Sequence, residues 1–193
     1  MTGSARTSAN WVAFLLFLSC AATYPGPVAH AQAKPAPGAS HYVEFRVGLI
    51  GTYGHSYVAY GRLNAKGEPR EHLYADLHPV GGYLAMAAGH LVPVRANTKW
   101  DPEVLTLKVV SSFRKPLTGA QYRRLVTAVR HARTNREPYW NVLTNNCNHF
   151  VAALARSIGM RVPANLQVSY TFIPALRALN EAAGPSSRSR GTP

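Results

Sequence analysis

The sequence has 193 residues, a length that fits one domain once the ends are set aside. It carries 21 Lys and Arg residues against 8 Asp and Glu residues, a net charge of +13 with histidine neutral, which favours attraction to anionic cell-envelope surfaces. The basic residues are scattered and form neither a basic-aromatic stripe nor a nucleic-acid motif, so nucleic acid is not an expected partner.

The N-terminus has the pattern of an export signal. Arg6 is the only charged residue before an apolar run over residues 11–18, and Ala29-His30-Ala31 follows as a cleavage site. The run is shorter than the roughly 20 apolar residues that a membrane-spanning helix needs. We therefore predict a cleaved signal peptide over 1–31 and a secreted or periplasmic protein.

The two cysteines, Cys20 and Cys147, have different expected fates. Cleavage after residue 31 removes Cys20 and leaves Cys147 alone, so no internal disulfide forms. A lipoprotein anchor at Cys20 is disfavoured, because Phe17 and Leu18 are bulky where smaller residues usually stand. A lone thiol in an oxidising compartment is a liability, and a reactive role is one reason to have it.

The first half of the mature chain predicts a lead-in followed by strands. Residues 32–40 are rich in Ala and Pro and predict a flexible linker before a domain over 41–184. Apolar and polar residues alternate over 42–50, which is typical of a half-buried strand. Further strands are predicted at 55–60 and 71–77, joined by a hairpin loop at 64–67.

The second half predicts mainly helices. The expected elements are a short helix at 83–88, short strands at 91–94 and 104–111, a helix from Thr118 to about Asn135, a helix from Cys147 to Gly159, and a last helix capped by Thr171 that contains Pro174 and stops at Gly184. Residues 185–193 predict a disordered tail. The fold class is therefore α+β, with an antiparallel sheet packed against helices.

The stretch from Thr144 to Phe150 combines a helix start with a cysteine. Asn145 and Asn146 are suitable N-caps, and apolar residues at helical spacing follow until Gly159. Cys147 is thereby predicted in the first turn. The N–H groups there lower a thiol pKa and can hold an oxyanion.

A cysteine nucleophile needs a base, and His55 is the best candidate. His55 opens a strand directly after a glycine turn, so its ring can stand at the sheet end where a helix N-terminus packs. His149 follows Cys147 by two positions, which rotates it about 200° around the helix. His149 is therefore expected to pack or cap nearby, and His131 to be exposed.

The hairpin suggests a residue that orients the base. A four-residue loop at 64–67 places His55 opposite Asp76 and Ala59 opposite His72, all on one face of the sheet. A slip in the register would bring His72 opposite His55 instead. Asp76 and His72 both remain candidates for holding the imidazole.

The motifs resemble a known group of proteins. The string Asn146-Cys147-Asn148-His149-Phe150 is similar to the cysteine motif of PPPDE-type deubiquitinase/desumoylase peptidases, and to the N-C-E-H-F string of lecithin–retinol acyltransferase-like proteins with Asn148 replacing Glu. The 54–58 stretch around His55 resembles the histidine strand of these families and of NlpC-type cell-wall amidases. Histidine before cysteine suits the circularly permuted papain-like fold, and the resemblance covers roughly residues 42–163.

The resemblance implies an exported thiol hydrolase of the amidase, peptidase or acyl-transfer type. Cys147 would be the nucleophile, His55 the base, and His72 the nearest match to a second histidine of the acyltransferase-like pattern. Asn146 would cap the helix or help the oxyanion. The substrate would carry an amide or ester, such as a cell-wall peptide or a lipid acyl group, whereas ubiquitin-like substrates would make sense only if the protein entered a host cell.

Two other interpretations compete with an enzyme. In the first, the fold is a binding module for the envelope without turnover, and Tyr53, Tyr57, Tyr60 and Tyr74 line a ligand groove. In the second, Cys147 and histidines bind a metal, but a lone Cys with scattered His matches no strong ligand spacing. We therefore expect neither a metal nor another cofactor.

Overall fold

The computed structural model of the protein describes residues 39–99 and 102–181. The predicted signal peptide over 1–31, most of the predicted linker and the predicted tail over 185–193 lie outside these ranges. Within them, no helix combines the length and the apolar character that crossing a membrane requires.

Strands dominate the first half of the described chain and helices the second half. In chain order the elements are β1 (His41–Gly48), β2 (His55–Arg62), β3 (Leu73–Ala75), β4 (His78–Pro79), α1 (Gly82–Ala88), β5 (Val94–Asn97), α2 (Glu103–Thr106), β6 (Val109–Leu117), α3 (Gly119–Thr134), β7 (Tyr139–Trp140), α4 (Cys147–Ser157) and α5 (Ser169–Glu181).

The main sheet has four antiparallel strands in the order β3-β2-β1-β6. One face carries the apolar members of the alternating strands, including Val43, Phe45 and Val58, which are fully buried. Helices α3, α4 and α5 supply the other half of this core, with Leu125 and Phe172 also fully buried. The prediction of an α+β fold with an antiparallel sheet packed against helices is confirmed.

The opposite face of the sheet buries a charged cluster. Glu44 on the central strand β1 is 5% exposed, and its two carboxylate oxygens accept from Arg46 at 3.1 Å and from Arg114 at 2.7 Å. A carboxylate at such a depth is tolerated because both of its oxygens have a cationic donor.

The predicted helix starts of α3 and α4 are confirmed. Thr118 and Gln121 form a capping box at the start of α3. The side chain of Asn146 accepts from the backbone N–H groups of Asn148 and His149 at 2.9 and 3.1 Å, so that α4 begins at Cys147.

The predicted end of α4 agrees with the structure, whereas the predicted start of α5 does not. Gly159, with φ of 84°, follows the last turn of α4 as expected of a residue at that position. The last helix, α5, starts at Ser169 and not after Thr171, and Pro174 lies inside it. The predicted stop of this helix at Gly184 lies outside the described residues.

Two predicted strands are misplaced. The prediction of a strand over 104–111 is wrong, because α2 occupies Glu103–Thr106 and β6 runs over Val109–Leu117. A proline directly before α2 favours the start of a helical turn there. The strand predicted at 91–94 begins later, as β5 over Val94–Asn97, since the proline within 91–94 has no N–H to donate to a ladder.

The predicted hairpin register is wrong by two residues. Ala59 pairs with Tyr74 and not with His72, and Val58 pairs with Ala75. The connecting loop is longer than predicted, because Leu63 bridges to Pro69 across it, and a further residue is taken up before β3. A shift of two keeps every side chain on its predicted face of the sheet.

We predict that Gly61→Ala destabilises the sheet by about 2 kcal/mol. A Cβ at Gly61 would lie 2.2 Å from the backbone oxygen of Glu71, the atom that accepts the Tyr42 hydroxyl at 2.9 Å. Urea denaturation measures the change in the free energy of unfolding. Gly119→Ala is the matched control, because its nearest neighbour would be an Arg123 nitrogen at 3.7 Å. Equal midpoints for the two variants would contradict the prediction.

Candidate active site

Cys147 lies where the N-terminus of α4 meets the start of β2. Its position follows from the Asn146 cap, which fixes Cys147 as the first residue of the helix. His55 is the first residue of β2, and Gly54 before it has φ of 67°, a conformation that suits glycine and turns the chain into the strand. The thiol and the imidazole are far apart in the chain, but each acts on the pKa of the other through hydrogen bonding and charge, so the fold places them close together.

Asp76 lies against the other side of the imidazole. Its Oδ2 is 3.2 Å from His55 Nε2, and the Asp76 side chain is 2% exposed. Because Nε2 is engaged by the carboxylate, Nδ1 is the ring nitrogen that remains for the sulfur. The arrangement runs from Asp76 through His55 to Cys147, the order that an orienter, a base and a nucleophile require.

The electrostatics favour a charged pair of thiolate and imidazolium. Burial would raise the pKa of Cys147, but hydrogen bonding and charge from His55, with hydrogen bonds from Ser56, lower it to about 6. Burial would lower the pKa of His55, but hydrogen bonds to Asp76 and Cys147 raise it to about 10. The two shifts run in opposite directions, and together they favour the thiolate–imidazolium pair over the neutral pair at neutral pH.

His78 is a member of the cluster that the sequence analysis missed. Its Nδ1 is 2.8 Å from Asp76 Oδ2, so two histidines share one carboxylate oxygen. These hydrogen bonds outweigh the effect of burial and lower the pKa of Asp76. The second oxygen, Oδ1, is buried without a hydrogen-bond partner in the described chain. His78 therefore restrains the carboxylate that orients His55.

His72, the other candidate for orienting the base, is not brought to His55. Its Nδ1 is 2.7 Å from the hydroxyl of Tyr42 on the charged face of the sheet, and its ring stacks on Tyr74. The observed hairpin register moves His72 farther from the start of β2 than predicted. Of the two candidates, the structure places only Asp76 against the imidazole.

Asn146 acts as a cap, and both ends of its side-chain amide are engaged. Oδ1 accepts the two N–H groups of the first helical turn, and Nδ2 donates to the backbone oxygen of Val142 at 2.7 Å. The backbone N–H of Cys147 has no acceptor among the described residues. This N–H, at the positive end of α4, is the group best placed to receive an oxyanion formed at the sulfur.

A buried polar network centred on the Asn148 side chain lies next to the thiol of Cys147. The amide oxygen of Asn148 accepts the hydroxyl of Ser56 at 2.8 Å and that of Ser169 at 3.0 Å. The Ser169 hydroxyl is also 3.6 Å from the sulfur of Cys147, and the Asn148 amide nitrogen donates to the backbone of Gln167. The network ties β2, α4 and α5 together at the thiol.

The remaining sequence candidates take other places. The His149 ring lies 3.0 Å from the amide oxygen of Asn146, so it supports the cap as expected. The four tyrosines proposed for a groove are not gathered. Tyr57 and Tyr60 are 1% and 3% exposed inside the fold, whereas Tyr53 is 52% exposed and lies beside His90.

A metal centre requires several ligating side chains close together. Across the described residues, no group of three or more His, Cys, Asp or Glu side chains is placed to hold a metal ion.

We predict that the alkylation rate of Cys147 by iodoacetamide rises as the pH passes through about 6, because the thiolate is the reacting form. In His55→Ala the apparent pKa should rise to about 8.5 or above, since burial persists without the compensating cation. His72→Ala is the control and should leave the profile unchanged. An unshifted profile in His55→Ala would rule out the ion pair.

We also predict that Asn148→Ala lowers the free energy of unfolding by about 3 kcal/mol, because two serine hydroxyls and one carbonyl lose their partner in a buried place. Asn145→Ala is the matched control, since Asn145 makes a single side-chain bond, to the backbone of Tyr139, and should cost about 1 kcal/mol or less. Urea denaturation compares the two. Similar losses would mean that the network contributes little.

Comparisons with known proteins identify no relative of this chain. No family model, no curated protein and no solved structure matches the chain. The function is therefore inferred from the residues of the site.

Proposed function

We propose that the protein is an exported cysteine hydrolase of the amidase, peptidase or acyl-transfer type, working through an acyl-enzyme on Cys147. The observation that carries the proposal is the alignment of Asp76, His55 and Cys147 at the start of a helix, with the pKa values of the thiol and the imidazole driven in opposite directions. An ion pair of this kind supplies both a nucleophile and a proton donor at neutral pH.

The chemistry begins at the thiolate. Cys147 Sγ attacks the carbonyl carbon of an amide or ester, and a C–S bond forms as the carbonyl oxygen takes up negative charge. The backbone N–H of Cys147 donates to that oxygen. The Asn146 cap supports this role, because its side chain accepts from the next two N–H groups and not from this one.

His55 completes both halves of the reaction. The imidazolium gives its proton to the leaving amine or alcohol as the C–N or C–O bond breaks, and a thioester remains on Cys147. The neutral imidazole then takes a proton from water, which attacks the thioester and releases the acid. Asp76 holds the ring in one orientation throughout, and it stabilises the charged form.

The substrate class follows from the compartment and the surface. The expected export and the net charge of +13 favour an anionic envelope surface as the place of action. Peptide amides of the cell wall are the abundant amides there, and lipid acyl esters fit the same thiol chemistry. Both fit the resemblance to permuted papain-like proteins, the PPPDE-type peptidases and lecithin–retinol acyltransferase-like proteins, which we extend to this chain as part of the proposal.

The test is to incubate the protein with envelope extract and to detect the acyl-enzyme by intact-protein mass spectrometry. The mass added to Cys147 distinguishes a cell-wall peptide from a fatty acyl group. With the substrate identified, Cys147→Ala should lower kcat/KM by at least about a thousandfold. Asp76→Asn should lower it by about a hundredfold or more, because the imidazolium loses its counter-charge.

His72→Ala is the control for these variants, and it should retain full kcat/KM, since His72 bonds to Tyr42 away from the site. Turnover that survives Cys147→Ala would refute the proposal. A protein that forms no adduct, and whose thiol titrates at about 8.5 in the alkylation assay, would instead be a binding module.

A further inference from the structure

An exposed apolar surface lies beside the candidate active site. It consists of Val80, Tyr83, Leu84, Leu91 and Val92, and we refer to it as the α1 surface. Leu84 and Leu91 are each 86% exposed and Tyr83 is 79% exposed. Helix α1 buries none of its residues. Single exposed leucines are ordinary, but a group of large apolar side chains held out of the core is typical of an interaction site.

The α1 surface is anchored at the end of α1 by residues of β7 and of the segment after it, next to a second, three-stranded sheet in the order β4-β5-β7. The backbone oxygen of Gly89, at the end of α1, accepts from the Asn141 side chain at 2.9 Å and from the Val142 backbone at 3.1 Å. Gly89 also packs so closely on Trp140 that a Cβ would lie 2.4 Å from its ring. The exposed side chains therefore stand on an anchored element.

The same contacts place the α1 surface next to Cys147. Asn141 and Val142 belong to the segment that leads directly into α4, and Val142 accepts the side chain of the Asn146 cap. On the other side, the ring of His90 lies 5.7 Å from that of Tyr53, two residues before His55. The α1 surface and the thiol thus share one side of the molecule.

The charge around the α1 surface is positive. Residues 77–99 contain no Asp or Glu, and they contain Arg95 and Lys99, both exposed. The segment directly before β7, which pairs with β5, adds one exposed charge of each sign, Arg136 and Glu137. Arg95 lies next to the α1 surface, because its backbone oxygen accepts a hydrogen bond from the backbone N–H of Val80 at 2.9 Å. Apolar side chains flanked by basic residues match the boundary between acyl chains and anionic headgroups.

We propose that the α1 surface docks on an anionic lipid bilayer, with Leu84 and Leu91 entering the acyl-chain boundary and Arg95 meeting headgroup phosphates. A second copy of the chain is a poorer occupant, because two molecules of charge +13 would repel each other face to face. Docking requires no turnover at Cys147, so this proposal stands or falls separately from the proposed function.

The experiment is co-sedimentation of the exported protein with vesicles. Vesicles of phosphatidylcholine with about a third phosphatidylglycerol are compared with pure phosphatidylcholine, and each is measured at low and high salt. Binding should be stronger to the anionic vesicles and weaker at high salt. The double variant Leu84→Ser with Leu91→Ser should bind at least about tenfold more weakly. Arg95→Ala should weaken binding about fivefold at low salt.

Leu73→Ser is the matched control, because Leu73 is 48% exposed on β3, where it pairs with the end of β2 distant from His55. This variant should bind like the parent protein. Equal vesicle binding by the parent and the double variant would overturn the proposal. A parent protein that does not bind vesicles would also overturn the proposal. This includes the case in which the parent protein is a dimer and the double variant is a monomer.

Discussion

The imidazole of His55 is the point on which the site depends, because both Asp76 and Cys147 act on it. Nε2 faces the buried carboxylate of Asp76, which leaves Nδ1 for Cys147. The ring can hold both only if β3 pairs beside β2 and α4 packs its first turn against the start of β2. The position of the His55 side chain relative to its partners therefore depends on the sheet register, on the helix cap and on the core between them.

The parts of the structure that depend on local signals could be predicted from the sequence. The start of α4 at Cys147 follows from the Asn146 cap and the apolar spacing behind it, and α3 follows from Thr118 in the same way. The face shared by His55 and Asp76 was also predictable, because alternation survives a register shift of two residues. A cap and a period are encoded within a few neighbouring residues.

The parts that depend on contacts between distant segments were not predictable. The β2–β3 register is carried by a three-residue strand and an irregular loop, so nothing local fixes it. His78 joins the cluster through a carboxylate shared with His55. The Asn148 network links residues from β2, α4 and α5, and in the sequence Asn148 stands out only as a departure from a related motif. Such groups become visible only when the chain is folded.

The distance in sequence between His55 and Cys147 has a consequence for the chain before it folds. In the unfolded polypeptide no imidazolium stands beside the sulfur, so the thiol has an ordinary pKa near about 8.5 and is mostly protonated at neutral pH. The low pKa arises only when β2 and the first turn of α4 meet. The sulfur is thus chemically quiet in the unfolded chain, and its reactivity appears together with the finished tertiary structure.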